Sequence, residues 1–316
     1  MALSAAETSR YSAIIAVCFP MFPLRTLEFI GGSSCRVFLA NGDTYFRFAH
    51  SNKAVCTLRK ERQFFLHVRG RVPLAMPDYS MFSEGCAGFP HPVAGYRAVP
   101  GVPIAGARLS AHAARQLGEF LRALHAIAPP SDWPVPASAV PAHAAEDLLR
   151  RVTAARRVLT LKQWDWASKL FAAFLASGAS NAPHPMCLVH NDVDHFNVLY
   201  DPRTGLLTGV IDSEEATVGD PVADFTPLLG EFGQQSFDAA LEAYGGPPDP
   251  HFGARAVFWS QALPFNELLY GLDTGARVHI ENGMQRLERA VRGEAIIGGW
   301  PLVKTAADTE WNGAEG

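Results

Sequence analysis

Apolar and polar positions change their rhythm about a third of the way along the chain. Before that point, short apolar runs end at glycine or turn residues, the pattern of strands. Leu27-Glu28-Phe29-Ile30 and Cys35-Arg36-Val37-Phe38-Leu39 flank Gly31-Gly32-Ser33-Ser34, and Asn41-Gly42, a type I′ hairpin signal, leads into Thr44-Tyr45-Phe46-Arg47-Phe48. A packed helix is expected over 12–19, another over about 54–68, and a last strand over 93–99, with Pro73, Pro77 and the Gly/Pro-rich stretch 85–92 breaking the chain between them. Pro100-Gly101 reads as a hinge. Beyond it the spacing becomes helical: Leu117, Phe120, Leu121 and Leu124 make one face of a helix over 109–127. Further helical patterns lie near 143–159, 162–176, 237–244, 252–270 and 277–292. The expected class is α+β, with a strand-rich part over 1–100 carrying one helix, a mainly helical part over 101–300, and a tail over 301–316.

One segment interrupts the helical half. Cys187-Leu188-Val189 feeds the polar stretch His190-Asn191-Asp192-Val193-Asp194-His195-Phe196-Asn197, and Val198-Leu199-Tyr200 leaves it. A hairpin over 200–210, turning at Asp201-Pro202-Arg203-Thr204-Gly205, ends at Ile211-Asp212. His190, Asp192 and Asn197 have the H-x-D-x-x-x-x-N spacing of a kinase catalytic loop, in which the Asp meets the acceptor hydroxyl and the Asn binds magnesium. Asp212 stands where a second metal-holding carboxylate is needed. Taken singly, Asp192 and Asn197 are ordinary turn formers and Asp212 an ordinary helix cap. A rival chemistry gathers His190, Asp192, Asp194 and His195 around a transition metal, but it needs further ligands, and His251 and His279 fall in helical patterns.

Composition narrows the picture. An apolar share of 48% over 316 residues supports a full core in one large or two modest domains, and no uninterrupted run is long enough for a membrane span. The net charge of −4 argues against nucleic acid as partner and suits a cationic ligand. Five scattered cysteines without C-x-x-C spacing argue against a zinc module and favour a reducing compartment. The apolar stretch 11–24 imitates a signal peptide but is broken by Pro20 and Pro23 and has no cleavage site, so a cytoplasmic protein is expected.

His190-Asn191-Asp192 through Asn197, Val210-Ile211-Asp212, Gly219-Asp220-Pro221 and Asp224-Phe225, in this order, resemble the aminoglycoside phosphotransferase family. That family is a branch of the bilobal protein-kinase-like fold that also holds macrolide and choline kinases, and the resemblance runs over about 12–293. It implies ATP or GTP as co-substrate and Mg²⁺ on Asn197 and Asp212, with Asp192 as the catalytic base. Gly32, Ser33 and Ser34 would lay backbone N–H groups over the phosphates, although the same turn is also an ordinary hairpin. Arg47, oriented by Glu61, would hold the phosphates, and the backbone of Ala98 and Val99 would meet the base. His190 would brace the loop, Asp220 would buttress it from behind, and His125 matches a family pattern while also reading as a packed or capping histidine.

The implied reaction moves a γ-phosphoryl group to a hydroxyl of an amine-bearing antibiotic, an aminoglycoside first and a macrolide second, giving resistance. A metabolic kinase for a small amine alcohol or amino acid, or an inactive nucleotide-binding relative, stays open as an alternative. On the acceptor side, Asp194, Glu231 and Glu267 are expected to form a negative cleft for a cationic small molecule. The sequence is compatible with a monomer or a homodimer.

Overall fold

The computed structural model describes residues 4–32, 35–104, 109–131, 133 and 140–293. Ser33, Ser34 and the expected tail over 301–316 lie outside the described residues. The chain divides into two compact units, one from the chain up to Gly70 with Ala75–Pro100, the other from Arg71–Leu74 with the chain from Gly101 onward. No described helix is long and apolar enough to cross a membrane.

The first unit is built on an antiparallel sheet. β1 (Leu27–Gly31), β2 (Cys35–Ala40), β3 (Thr44–Ala49), β4 (Met81–Ser83) and β5 (Val93–Arg97) stand in the order β1-β2-β3-β5-β4. Asn41 and Gly42 both take positive φ, +55° and +78°, as a type I′ turn requires. Because side chains alternate across a strand, Phe46 and Phe48 of β3 point to one face and Arg47 to the other. On the Phe46 face lies α1 (Ala5–Cys18), whose Tyr11 ring stands 4.6 Å from that of Phe38, with Ile14 and Ile15 in the same buried cluster. The helix was expected over 12–19, yet it starts at Ala5, because Ser4 and Glu7 cap each other's backbone reciprocally. On the Arg47 side lies α2 (Asn52–Val68), capped by Ser51.

Cys18, at the end of α1, and Cys86, in the loop before β5, form a disulfide with Cα atoms 5.6 Å apart. The scattered spacing gave no sign of this bond, so it lends no support to a reducing compartment.

The second unit is mainly helical. Its helices are α3 (Ala111–His125), α4 (Pro141–Ala154), α5 (Leu161–Leu175), α6 (Val222–Pro227), α7 (Gln234–Tyr244), α8 (Phe252–Thr274) and α9 (Arg277–Val291). α3 packs so closely on α7 that a Cβ on Gly118 would collide with the Ala240 carbonyl oxygen. A second core joins α4, α5, α8 and α9, with the Phe174 and Phe258 rings stacked at 3.8 Å. Set into this helical body are two small sheets. β7 (Cys187–Val189) pairs with β10 (Thr217–Gly219), and β8 (Val198–Tyr200) lies between β6 (Val102–Pro103) and β9 (Leu207–Val210).

The start of α6 is fixed by a buried ion triad. The Arg255 guanidinium of α8 is fully buried and forks between Asp220 (2.6 and 3.1 Å) and Asp249 (2.9 and 2.8 Å). Asp220 also accepts the N–H of Val222, the first residue of α6, at 3.0 Å. Arg255→Met leaves two acids without their shared cation, and we expect denaturant unfolding to show a loss of about 3–5 kcal/mol.

Candidate active site

The polar loop is hung on one carboxylate. β7 is wholly buried and delivers His190 to the point where Asn191 turns the chain with φ +65°. Asn is one of the few residues that tolerate that conformation. The turn leaves the N–H groups of His190 and Asn191 without a strand partner, and both donate to Asp224, at 2.9 and 2.6 Å. Asp224 is fully buried in the first turn of α6, and its Oδ2 also bonds His125 Nε2 at 2.9 Å. His125 Nδ1 in turn bonds the Tyr244 hydroxyl at 3.0 Å. The buttress expected at Asp220 is therefore Asp224. Asp220, one residue before the N-cap Pro221 of α6, is turned instead toward Arg255 and the Val222 N–H.

Within the loop, Asn197 Nδ2 donates to the carbonyl (3.0 Å) and to the carboxylate (2.7 Å) of Asp192. Its amide oxygen is thereby the end left to act as a ligand. Asp194 accepts the N–H groups of Phe196 (2.9 Å) and Asn197 (3.0 Å), so it fastens the turn that carries Asn197. The Ile211 N–H donates to the Asn197 carbonyl at 2.9 Å, which sets the end of the β8–β9 hairpin beside the loop. Asp212 follows at once, exposed and with φ +62°, a conformation that for a non-glycine residue recurs at functional sites. His190 is fully buried behind the loop; burial lowers its pKa, and the charges of Asp224 and Asp212 and a bond to the Ile211 backbone partly offset that.

The acids of this loop crowd one another. Burial, followed by the charges of Asp194, Asp212 and Glu215, pushes the Asp192 carboxyl up to about 9. Burial and Glu231 push Asp194 up to about 7. The cluster therefore holds more negative charge than its own surroundings compensate, a condition that cationic ligands relieve.

In the first unit, Arg47 Nη1 reaches both oxygens of the fully buried Glu61, at 2.7 and 2.8 Å, so the expected pair is formed. Sequence reasoning missed Tyr79, whose hydroxyl accepts from Arg47 (2.7 Å) and donates to Glu61 (2.8 Å), and whose pKa burial raises well above its ordinary value. Gly32 has φ +110°, and a Cβ there would collide with the Cys35 carbonyl oxygen, so only glycine fits this turn. The Ala98 N–H, a candidate for a nucleotide base, is already donated to the Asp43 carbonyl at 2.8 Å.

The expected acceptor acids are differently placed. Glu231 bonds His195 Nδ1 at 2.7 Å, and Arg286 of α9 bridges Glu231 (3.7 Å) and Glu267 (3.1 Å), with His279 3.5 Å from Glu267. Two of the three carboxylates are thus engaged with a cation of the protein itself, which the sequence pattern did not reveal.

A sequence profile of the phosphotransferase enzyme family matches residues 26–256. The chain belongs to that family. Several solved phosphotransferases share its fold. The GDP complex of wild-type aminoglycoside 2'-phosphotransferase-IIIa aligns with a TM-score of 0.77 at 23% identity, over 90% of this chain and 99% of its own. The GDP and kanamycin complex of APH(2")-IIIa aligns at 0.74 and 23%, over 90% and 98%. Macrolide 2'-phosphotransferase MphH from Brachybacterium faecium, as apoenzyme, aligns at 0.67 and 22%, over 88% and 95%. No curated protein sequence matches the chain. At such identities the likeness establishes the α+β, protein-kinase-like fold.

Magnesium fits the donor set of this phosphotransferase. Among the described residues no three His, Cys, Asp or Glu side chains are gathered to hold a metal by themselves. A magnesium ion does not need such a cage, since one or two carboxylates, waters and substrate phosphates complete its octahedron. The amide oxygen of Asn197 and the exposed carboxylate of Asp212 are hard donors of that kind. The four-ligand transition-metal set is not assembled: His195 is bonded to Glu231 and Asp194 to its own turn.

Two outcomes follow for this loop. Asp224→Ala strips two backbone N–H groups and His125 of their acceptor, and unfolding should show a loss of at least about 2 kcal/mol, with faster hydrogen exchange at His190 and Asn191. Asp192→Asn should do the reverse. Between its ordinary 3.8 and about 9, the folded protein holds a proton on Asp192 that the unfolded chain releases, so this group's contribution to stability falls as pH rises through that window. At pH 7 the neutral amide should raise the melting temperature of the metal-free protein, a gain of about 1–2 kcal/mol, while turnover is lost.

Proposed function

We propose that the chain is a nucleoside triphosphate-dependent O-phosphotransferase acting on an amine-bearing antibiotic, an aminoglycoside first. The observation that carries this reading is Asp192, a half-buried carboxyl fixed by Asn197 and crowded by Asp194, Asp212 and Glu215, so that an arriving cation would favour its ionised, proton-accepting form. In the proposed reaction Asp192 orients the acceptor hydroxyl and takes its proton as the hydroxyl oxygen bonds to the γ-phosphorus. The bond from that phosphorus to the bridging oxygen breaks, and the nucleoside diphosphate leaves with its electron pair. Asn197 and Asp212 would hold magnesium, which would neutralise phosphate charge when bound. Arg47, aimed by Glu61 and Tyr79, and the backbone of the Gly31-Gly32 turn are assigned to the phosphates in the N-terminal nucleotide-handling unit. ATP or GTP serves equally in this scheme, and the C-terminal unit supplies catalytic loop and acceptor site. Phosphotransferases of the same fold hold kanamycin, gentamicin or streptomycin, which supports a cationic acceptor.

A second reading, a macrolide acceptor with a single amine, draws support from Arg286. With Glu231 and Glu267 paired to it, fewer carboxylates remain for a polycation, and the acceptor amine falls to Asp192, Asp212 and Glu215.

A coupled nucleotide assay across aminoglycosides, macrolides and small amine alcohols tests the proposal. An amine-bearing antibiotic should give the highest kcat/KM, with KM rising as salt screens the acidic loop. A neutral or anionic best acceptor would sink the reading. Asp212→Ala should abolish turnover, and Asp192→Ala should abolish it with nucleotide affinity kept. Arg47→Ala should weaken nucleotide binding at least about tenfold, whereas Arg47→Lys, which keeps the charge without the fork, should retain part of it. Calorimetric titration with the nucleotide reads both.

A further inference from the structure

Glu231 and Glu267 belong to a chain of charges that ends on the catalytic loop. It runs from His279 and Glu267 through Arg286 to Glu231 and on to His195, over 3.5, 3.1, 3.7 and 2.7 Å. Glu231 also accepts the His195 backbone N–H at 3.3 Å. The chain ties α8 and α9 to a residue placed between Asp194, which fastens the turn, and Asn197, which carries the ligand amide. We propose that Arg286 is a positioning residue for this loop, acting through Glu231 and His195, and that it sets kcat rather than the acceptor's affinity. The assignment rests on the phosphotransfer reading above.

Three observations support it. First, the network is shielded: side-chain exposures are 5% for His195, 9% for Glu231 and 12% each for Arg286 and Glu267. Charges so placed are weakly screened, and an acid stripped of its cation there is costly. Second, Glu231 is delivered by a π turn over Leu228–Phe232, a local widening of the helix that recurs at functional sites. That turn packs closely on α8: a Cβ on its Gly230 would come within 2.6 Å of the Leu263 side chain. Third, Glu231 grips His195 at two atoms, bonding its ring Nδ1 at 2.7 Å and accepting its backbone N–H at 3.3 Å.

Without Arg286, Glu231 and Glu267 repel each other and Glu231 has reason to turn away from His195. The segment that then loosens carries Asn197, not the phosphate grip of Arg47. A shift of about 1 Å in such a segment costs on the order of a hundredfold in rate.

The test uses the full-length protein, nucleotide, magnesium and the best acceptor of the panel. Arg286→Met should lower kcat about tenfold to a hundredfold with the nucleotide and acceptor KM held within about threefold. Arg286→Lys should recover most of the rate. In a double-mutant cycle, Arg286→Met combined with His195→Leu should be no slower than the slower single variant. A kcat unchanged in Arg286→Met while the melting temperature falls would reduce Arg286 to a structural ion pair, and additive losses in the cycle would break the link to His195. If Arg286→Met does not fold, Glu231→Gln keeps the shape and reads the same step. A wild-type protein inactive on every acceptor overturns the phosphotransfer reading alone. Hydrogen exchange at 195–197 then decides the present proposal, faster in Arg286→Met if it holds and unchanged if it does not.

Discussion

The structure of the site depends on the Asp224 carboxylate. A strand that must stop being a strand, so that its next residues can face a ligand, leaves backbone N–H groups in a dry interior. Each such group left unpaired costs on the order of 1–3 kcal/mol. Asp224 takes two of them at once and brings His125 and Tyr244 with it, so that α3, α6 and α7 converge on the point where β7 ends. The left-handed turn at Asn191, the reach of Asp192 and the Asp192–Asn197 clasp come after that junction in the chain and inherit its position.

Much of this was legible in the sequence, because the relevant signals are local. Strand runs bounded by Gly and Asn-Gly, helical spacing in Leu117 to Leu124, and the order of His190, Asp192, Asn197 and Asp212 each express geometry within a few residues. The Arg47–Glu61 contact was legible too, since alternation along β3 fixes the face that Arg47 takes and α2 follows directly. What stayed hidden depends on partners far along the chain. Tyr79, Arg255 and Arg286 carry no local pattern that announces an ion-pair hub, and Cys18 and Cys86 are 68 residues apart. The exchange of Asp220 for Asp224 has the same origin. Both acids lie in one short motif, and only the direction of the helix start decides which faces the loop. The early start of α1 is different, since its signal is local: Ser4 and Glu7 form a capping box ahead of the apolar stretch.

Charge in the second unit falls into two kinds, and the division says where a ligand belongs. Asp220, Asp249, Glu231 and Glu267 each have a cation of the protein within ion-pair distance, and Asp224 has His125 and two N–H donors. These acids are structural: they hold helix starts, helix pairs and the loop in register. Asp192 and Asp194 have hydrogen-bond donors, yet burial drives both carboxyls upward, helped by Asp194, Asp212 and Glu215 at Asp192 and by Glu231 at Asp194. Acids that repel one another in this way are tolerated where an incoming charge relieves them. Under the proposed function, magnesium and an acceptor amine would both be such charges, drawn to the same few ångströms of loop. An ion on Asp212 would lower the negative potential that draws the amine, so the two would compete electrostatically unless the nucleotide's phosphates restored the balance. The triphosphate would then be the anion that lets both cations occupy one cluster.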